Sequence, residues 1–137
     1  MLTLRWLSGM AFEADPPSGQ KFTMDAYPDS GGQDLGPTPV ETLIGALAGC
    51  TAMDVVSILQ KKRQKVTGYR VELEWDRPPQ GQQPRPIIAI RIKHIVEGEG
   101  LEPAAVAQAV QLSDEKYCTV ATTLRLGTQI HTEWQIL

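Results

Sequence analysis

The sequence predicts an α+β fold in a single domain, residues 1–137, in which one central buried helix separates banks of strands. Two observations predict it. Period-2 alternation and period-3.6 patterning are segregated into blocks instead of alternating element by element. A single long apolar stretch, Thr38 to about Gln64, lies between the strand blocks. The predicted order is βββ-α-ββ-αα-β, with largely antiparallel sheets and no internal repeat.

Leu2-Thr-Leu-Arg-Trp6 alternates apolar and polar residues and reads as the first strand. Met10–Ala14 is its hairpin partner across Ser8-Gly9, and Lys21–Asp25 is a third strand after the turn Pro16-Pro17-Ser18-Gly19. Pro28–Pro37 has no periodicity and reads as a loop. Thr38, Pro39 and Glu41 have the spacing of an N-cap, a first-turn proline and a capping box. The helix they open is apolar nearly all round, so it should be buried on most sides. Lys61-Lys62-Arg63 complements its C-terminal dipole, and Gly68 reads as its stop. Tyr69–Trp75 and Ile87–Ile95 are strands joined by a proline-rich loop, the second with Ile88, Ile90 and Ile92 on one face. Glu102-Pro103 opens a second helix to about Leu112, a short third helix from about Ser113 carries Cys118, and Ile130–Ile136 is the last strand.

One sheet of a 137-residue chain cannot cover every side of such a helix. Gly45 and Gly49, with Ala46, Ala48 and Ala52, would admit a second backbone at close range. A second copy of the same helix is therefore expected there, in a homodimer.

Composition narrows the function. Hydrophobic residues make up 42% and charged residues 21%, with net charge −3, as in a soluble globular protein. Lysine and arginine are scattered, so no nucleic-acid partner is expected. The start lacks a basic segment followed by an apolar run. The longest uncharged run, Thr42–Met53, has 12 residues, short of the roughly 20 needed to span a bilayer. The expected location is cytoplasmic, without membrane attachment, where thiols are kept reduced.

Two cysteines are the main chemical candidates. Cys50 sits among Ala and Gly, where a thiol behaves as a small hydrophobe. Asp54, one turn on, shares its face. A carboxylate in an apolar stretch calls for a partner or a cavity. Cys118 follows Asp114-Glu115-Lys116 and is expected near the surface, partly exposed. From residue chemistry alone the two are either inert buried thiols or a redox pair. His94 and His131 have no metal-ligand spacing with each other or with the cysteines, so no metal site is expected. His131 falls on the polar face of the last strand. The chain has no dinucleotide fingerprint, phosphate loop or nucleophile elbow.

Gly36-Pro-Thr-Pro-Val-Glu-Thr-Leu-Ile-Gly-Ala-Leu-Ala-Gly-Cys50-Thr-Ala-Met-Asp-Val-Val56 and Leu112-Ser-Asp-Glu-Lys-Tyr-Cys118-Thr-Val-Ala resemble the two cysteine segments of the OsmC/Ohr family of small thiol peroxidases. The Gly-Cys-Thr-Ala-Met-Asp form is most similar to its less characterised OsmC-like subgroup. The element order agrees over essentially the whole chain. The resemblance implies an interlocked homodimer, with two central helices packed together and wrapped by sheets from both subunits. It implies that Cys50 attacks an organic hydroperoxide to give a sulfenic acid, and that Cys118 condenses with it to a disulfide. An external thiol or dithiol then reduces that disulfide, with no bound cofactor.

The chain departs from the family pattern around the reactive cysteine. Family peroxidases place an Arg from the N-terminal region and a Glu directly after the motif proline at the thiolate. Here Val40 follows Pro39 and the Glu is one place later, at Glu41. On a regular helix Glu41 points about 180° away from Cys50. No arginine occurs between Arg5 and Arg63, and Lys21 is the only other base of the N-terminal strands. Cys118 is followed by Thr119 where the family has proline. Glu41, Asp54, Lys21 and Arg5 are the candidate auxiliaries. The expected function is thiol-dependent hydroperoxide reduction. A second expectation is a non-enzymatic dimer whose cavity binds a small apolar ligand, and a third is thiol chemistry on another electrophile.

Overall fold

A computed structural model describes all residues, Met1–Leu137. The chain forms two compact units, Met1–Gly45 and Ala46–Leu137, whose boundary falls within the long helix.

In the first unit β1 (Thr3–Ser8), β2 (Ala11–Asp15) and β3 (Phe22–Met24) form an antiparallel sheet in the order β1-β2-β3. Gly9 turns the first hairpin with φ +51°, and Trp6 Nε1 donates to its carbonyl at 3.0 Å. Every residue of β1 is exposed, including Leu4, Leu7 and Trp6, the last at 65%. The loop that follows β3 is organised by buried Asp25. Its carboxylate accepts backbone N–H bonds from Ala26 (2.8 Å), Gln33 (2.9 Å) and Leu35 (3.2 Å). The Gln33 bond leads in holding this carboxyl below the usual range. A Cβ on Gly32 would lie 1.6 Å from the Ala26 carbonyl oxygen, so the loop closes only with glycine there.

The capping box forms as the spacing predicts. The Glu41 N–H donates to Thr38 Oγ1 at 3.2 Å, and the Thr38 N–H donates to Glu41 Oε2 at 2.8 Å. Helix α1 runs Pro39–Lys61, ending short of Gln64. It stops because Arg63 takes φ +55° in a Schellman closure, with Arg63 N–H on Gln60 O and Gln64 N–H on Leu59 O. Gly68 is therefore not the stop. It lies in the next strand, at a register shift where a Cβ would crowd Glu97.

In the second unit β4 (Lys65–Asp76) pairs antiparallel with β5 (Ala89–Glu99). β6 (Gln129–Ile136) pairs parallel with β5, so the order is β4-β5-β6. Parallel neighbours need a long crossover. Here it consists of α2 (Pro103–Leu112), a π-helical turn (Ser113–Tyr117) and α3 (Thr119–Leu124). Cys118 is thus not inside the third helix but is its N-cap. Ile88 lies outside the strand and is exposed, contrary to expectation; Ile90, Ile92, His94 and Val96 form the inward face. Val55 and Leu59 of α1 pack with Val96, Val106, Ala109 and Val110 to make the core. The outward face is charged, with Arg91 pairing Asp76 at 2.6 Å and Glu74 at 3.2 Å, and His131 is exposed there.

His94 is wholly buried, with Nδ1 2.6 Å from the Tyr69 hydroxyl and Nε2 unpartnered. Burial pushes its pKa down to about 4, so the ring is neutral.

Helix α1 departs from one expectation. Ile44, Leu47, Thr51, Val55 and Leu59 are buried, on one face. Leu43, Ala46, Met53 (74% exposed) and Gln60 lie open on the other side. The single chain covers one face of the helix, not most of it.

Candidate functional site

Cys50 and Asp54 are one helical turn apart on the flank of α1, between its buried and open faces. Cys50 is half-buried, and Cys118 is fully buried at 0% exposure. The expected partial exposure of Cys118 is therefore corrected. The charged residues before it are on the surface, but the π-helical turn adds one residue to the backbone ring and swings Cys118 inward. In that turn the Cys118 N–H bonds Ser113 O at 2.9 Å.

The turn is anchored at Asp114. Arg125 donates to the backbone oxygen and carboxylate of Asp114, and Thr132 Oγ1 donates to the same carboxylate at 2.7 Å. Lys116 lies over the Tyr117 ring at 5.4 Å.

The result is a cluster of three groups far apart in sequence. Cys50 Sγ, Cys118 Sγ and a carboxylate oxygen of Asp54 all lie within 4.8 Å of one another. Both cysteines are free thiols. Buried Ser113 donates its hydroxyl to Asp54 Oδ2 at 3.0 Å, and Thr51 Oγ1 in turn donates to Ser113 Oγ at 2.8 Å. The partner that an intrahelical carboxylate requires is therefore Ser113. None of the chain's ion pairs includes Asp54.

Burial pushes the Cys118 thiol up to about 11, and the neighbouring Cys50 and Asp54 act in the same direction. The Ala121 N–H donates to its Sγ at 3.4 Å and opposes the shift. At neutral pH Cys118 is a thiol, and it reacts as a nucleophile only when a base removes its proton.

The other candidate residues are engaged elsewhere. Arg5 pairs with Glu13 at 3.6 Å, and Lys21 pairs with Glu13 at 3.3 Å and Asp15 at 3.7 Å, all within the first sheet. Glu41 closes the capping box and also accepts from the Tyr27 hydroxyl. Tyr27 leads Thr38 in holding its carboxyl low. The sequence reading missed Thr51, Ser113 and the Asp114–Arg125 clamp. Ser113 was legible only as the start of a third helix, because nothing local marks it as the partner of a residue 59 positions earlier.

A family model for OsmC-like proteins matches residues 31–133. The chain belongs to the OsmC-like family. It is 40% identical over 134 residues to protein YhfA of Escherichia coli K12, covering 98% of this chain and 96% of that one. A crystal structure of a hypothetical protein from Aquifex aeolicus VF5 superposes with TM-score 0.85 at 30% identity, over 100% of this chain and 95% of the other. An organic hydroperoxide resistance protein OsmC from Legionella pneumophila shares the fold. Its TM-score is 0.71 at 11% identity, over 98% of this chain and 96% of that one. The α+β class expected from the element order, and the OsmC-like fold that the resemblance implies, are thus the fold of the chain.

Proposed function

We propose that this OsmC-like protein reduces organic hydroperoxides at the expense of an external thiol, through Cys50 and Cys118. The observation that carries this reading is the approach of the two sulfurs to within 4.8 Å of each other and of Asp54. Cys50, the more accessible thiol, attacks the distal peroxide oxygen: Cys50–SH and ROOH give Cys50–SOH and ROH. Cys118 then attacks the Cys50 sulfur, forming the disulfide and releasing water. Asp54 takes the Cys118 proton and delivers it to the departing hydroxyl, while Ser113 and Thr51 hold the carboxylate in place. Two equivalents of external thiol return the pair to the dithiol and leave as a disulfide. No bound cofactor takes part.

The working unit in this reading is a homodimer. The open face of α1 supports it. A Cβ added to Gly45 or Gly49 meets nothing within 4 Å in the chain, so nothing here accounts for two helix-weakening glycines. The wholly exposed strand β1, with Leu4, Trp6 and Leu7 open, supports it as well. A second copy on this face would also cover the flank on which Cys50 lies, giving the peroxide an apolar, water-poor approach.

One observation favours a second reading, an apolar-ligand-binding dimer with little peroxidase activity: Asp54, beside the thiols, has no ion-pair partner, and no cation offsets it. Mass spectrometry of the reduced protein mixed with cumene hydroperoxide separates the two. The peroxidase reading predicts thiol loss within the first minutes. Two thiols still free in excess peroxide would leave the binding reading.

A further inference from the structure

We infer that the reduced site also binds one thiophilic divalent cation of the Zn2+ class, through Cys50 Sγ, Cys118 Sγ and an Asp54 carboxylate oxygen. The sequence offers no ligand spacing for a metal, since Cys118 is 68 positions from Cys50. The crossover turn brings the third donor to the helix flank, and all three donor atoms fall within 4.8 Å of one another. Zinc–sulfur bonds of about 2.3 Å and zinc–oxygen bonds of about 2.0 Å place tetrahedral ligands roughly 3.5–3.8 Å apart. The donors need to close by only about 1 Å, within the reach of side-chain rotation.

The chemistry of the set is selective. Two thiolates favour a soft or borderline cation over Mg2+ or Ca2+. Two thiolates and a carboxylate repel one another when ionised, and a dication removes that repulsion. An outer shell is already built, because the Ser113 hydroxyl holds Asp54 Oδ2 at 3.0 Å and is itself held by Thr51. Three protein donors leave a fourth position for water or an exogenous thiol, on the side where Cys50 is half-exposed. Binding is balanced by proton release: two thiols and one M2+ give the bis-thiolate complex and two protons, so affinity rises with pH. Metal and disulfide exclude each other, because both consume the same two sulfurs. A loaded site is protected from peroxide, and an oxidised one cannot hold the ion.

The test uses the full-length reduced protein under anaerobic conditions and does not depend on peroxidase activity. Co2+ is titrated in, the thiolate-to-cobalt charge-transfer absorption is followed, and Zn2+ is then added in competition. The expected result is one equivalent per chain and displacement by stoichiometric Zn2+. C50S and C118S should each abolish the absorption, and Asp54→Asn should weaken Co2+ binding at least tenfold. One equivalent of Zn2+ should also slow iodoacetamide alkylation of Cys50 in the unmutated protein at least tenfold, a readout that needs no variant to fold. No thiolate–cobalt absorption, or an alkylation rate unchanged by Zn2+, would overturn the site. Equal Co2+ affinity in Asp54→Asn would overturn the three-donor assignment.

Discussion

Helix α1 carries two carboxylates, and the surroundings of Glu41 and Asp54 differ in a way their sequence positions do not reveal. Glu41 is at the first turn, two residues after the motif proline. Its oxygens are taken up by the Thr38 N–H and the Tyr27 hydroxyl. Asp54 is in the middle of the helix, where a carboxylate is costly, and it is held by Ser113 within 4.8 Å of two thiols. The first arrangement explains itself as helix capping. The second puts a carboxylate beside two sulfurs with no ion-pair partner, a cost that folding alone does not require. A carboxylate near a cysteine motif is thus informative only after its local hydrogen bonds are accounted for.

The comparison can be broken at several points. The largest effect is expected at the thiols. C50S should abolish cumene hydroperoxide consumption, whereas C118S should still consume one equivalent and stop at the sulfenic acid, trapped with dimedone. Next is Asp54→Asn, which pits two roles against each other. As proton carrier, Asp54 is required, and its loss should slow disulfide formation by about 100-fold or more. Were it only a charge that holds the Cys118 pKa up, its loss would speed the same step. Stopped-flow kinetics of the second, peroxide-independent phase decides between them.

Stability sets the pH window for such assays. His94 titrates at about 4 in the fold against 6.5 in the open chain. Below 6.5 the unfolded chain binds a proton that the folded chain does not. The contribution of His94 is therefore intact above pH 6.5 and is lost as pH falls from 6.5 to 4, by up to about 3 kcal/mol. Urea unfolding at pH 7 and pH 4.5, compared between the unmodified protein and His94→Gln, measures it, since the low carboxyls of Asp25 and Glu41 weaken both proteins alike at acid pH.

The open face of α1 gives a sign test. In an isolated chain Gly45→Ala or Gly49→Ala should stabilise by about 1 kcal/mol. In a helix-paired dimer each should instead lower the melting temperature and raise the monomer fraction on sizing columns. Smallest is Thr38→Ala, which should cost about 1 kcal/mol through the cap and leave the peroxide reaction rate unchanged.

The sequence carries much of the fold and less of the site, for definable reasons. Capping boxes, strand alternation and the Pro103 helix start act over a few residues, so Thr38, Tyr69–Trp75 and the second helix were legible. The end of α1 was not, because it depends on Arg63 adopting a left-handed conformation that no residue type there announces. The burial of Cys118 was not legible either. It follows from a π-helical turn clamped by Arg125 and Thr132, contacts made 11 and 18 positions away from Asp114. The resemblance supplied the pairing of the cysteines, helical spacing had already set Asp54 beside Cys50, and the geometry added Ser113 as its partner.

The central claim is that two thiols distant in sequence act as one redox pair. The most direct measurement is the non-reduced peptide map and intact mass of the reduced protein after one equivalent of cumene hydroperoxide. The account predicts a chain lighter by two hydrogens, with a single cross-linked peptide joining Cys50 to Cys118. A chain whose mass and two free thiols are unchanged would contradict it.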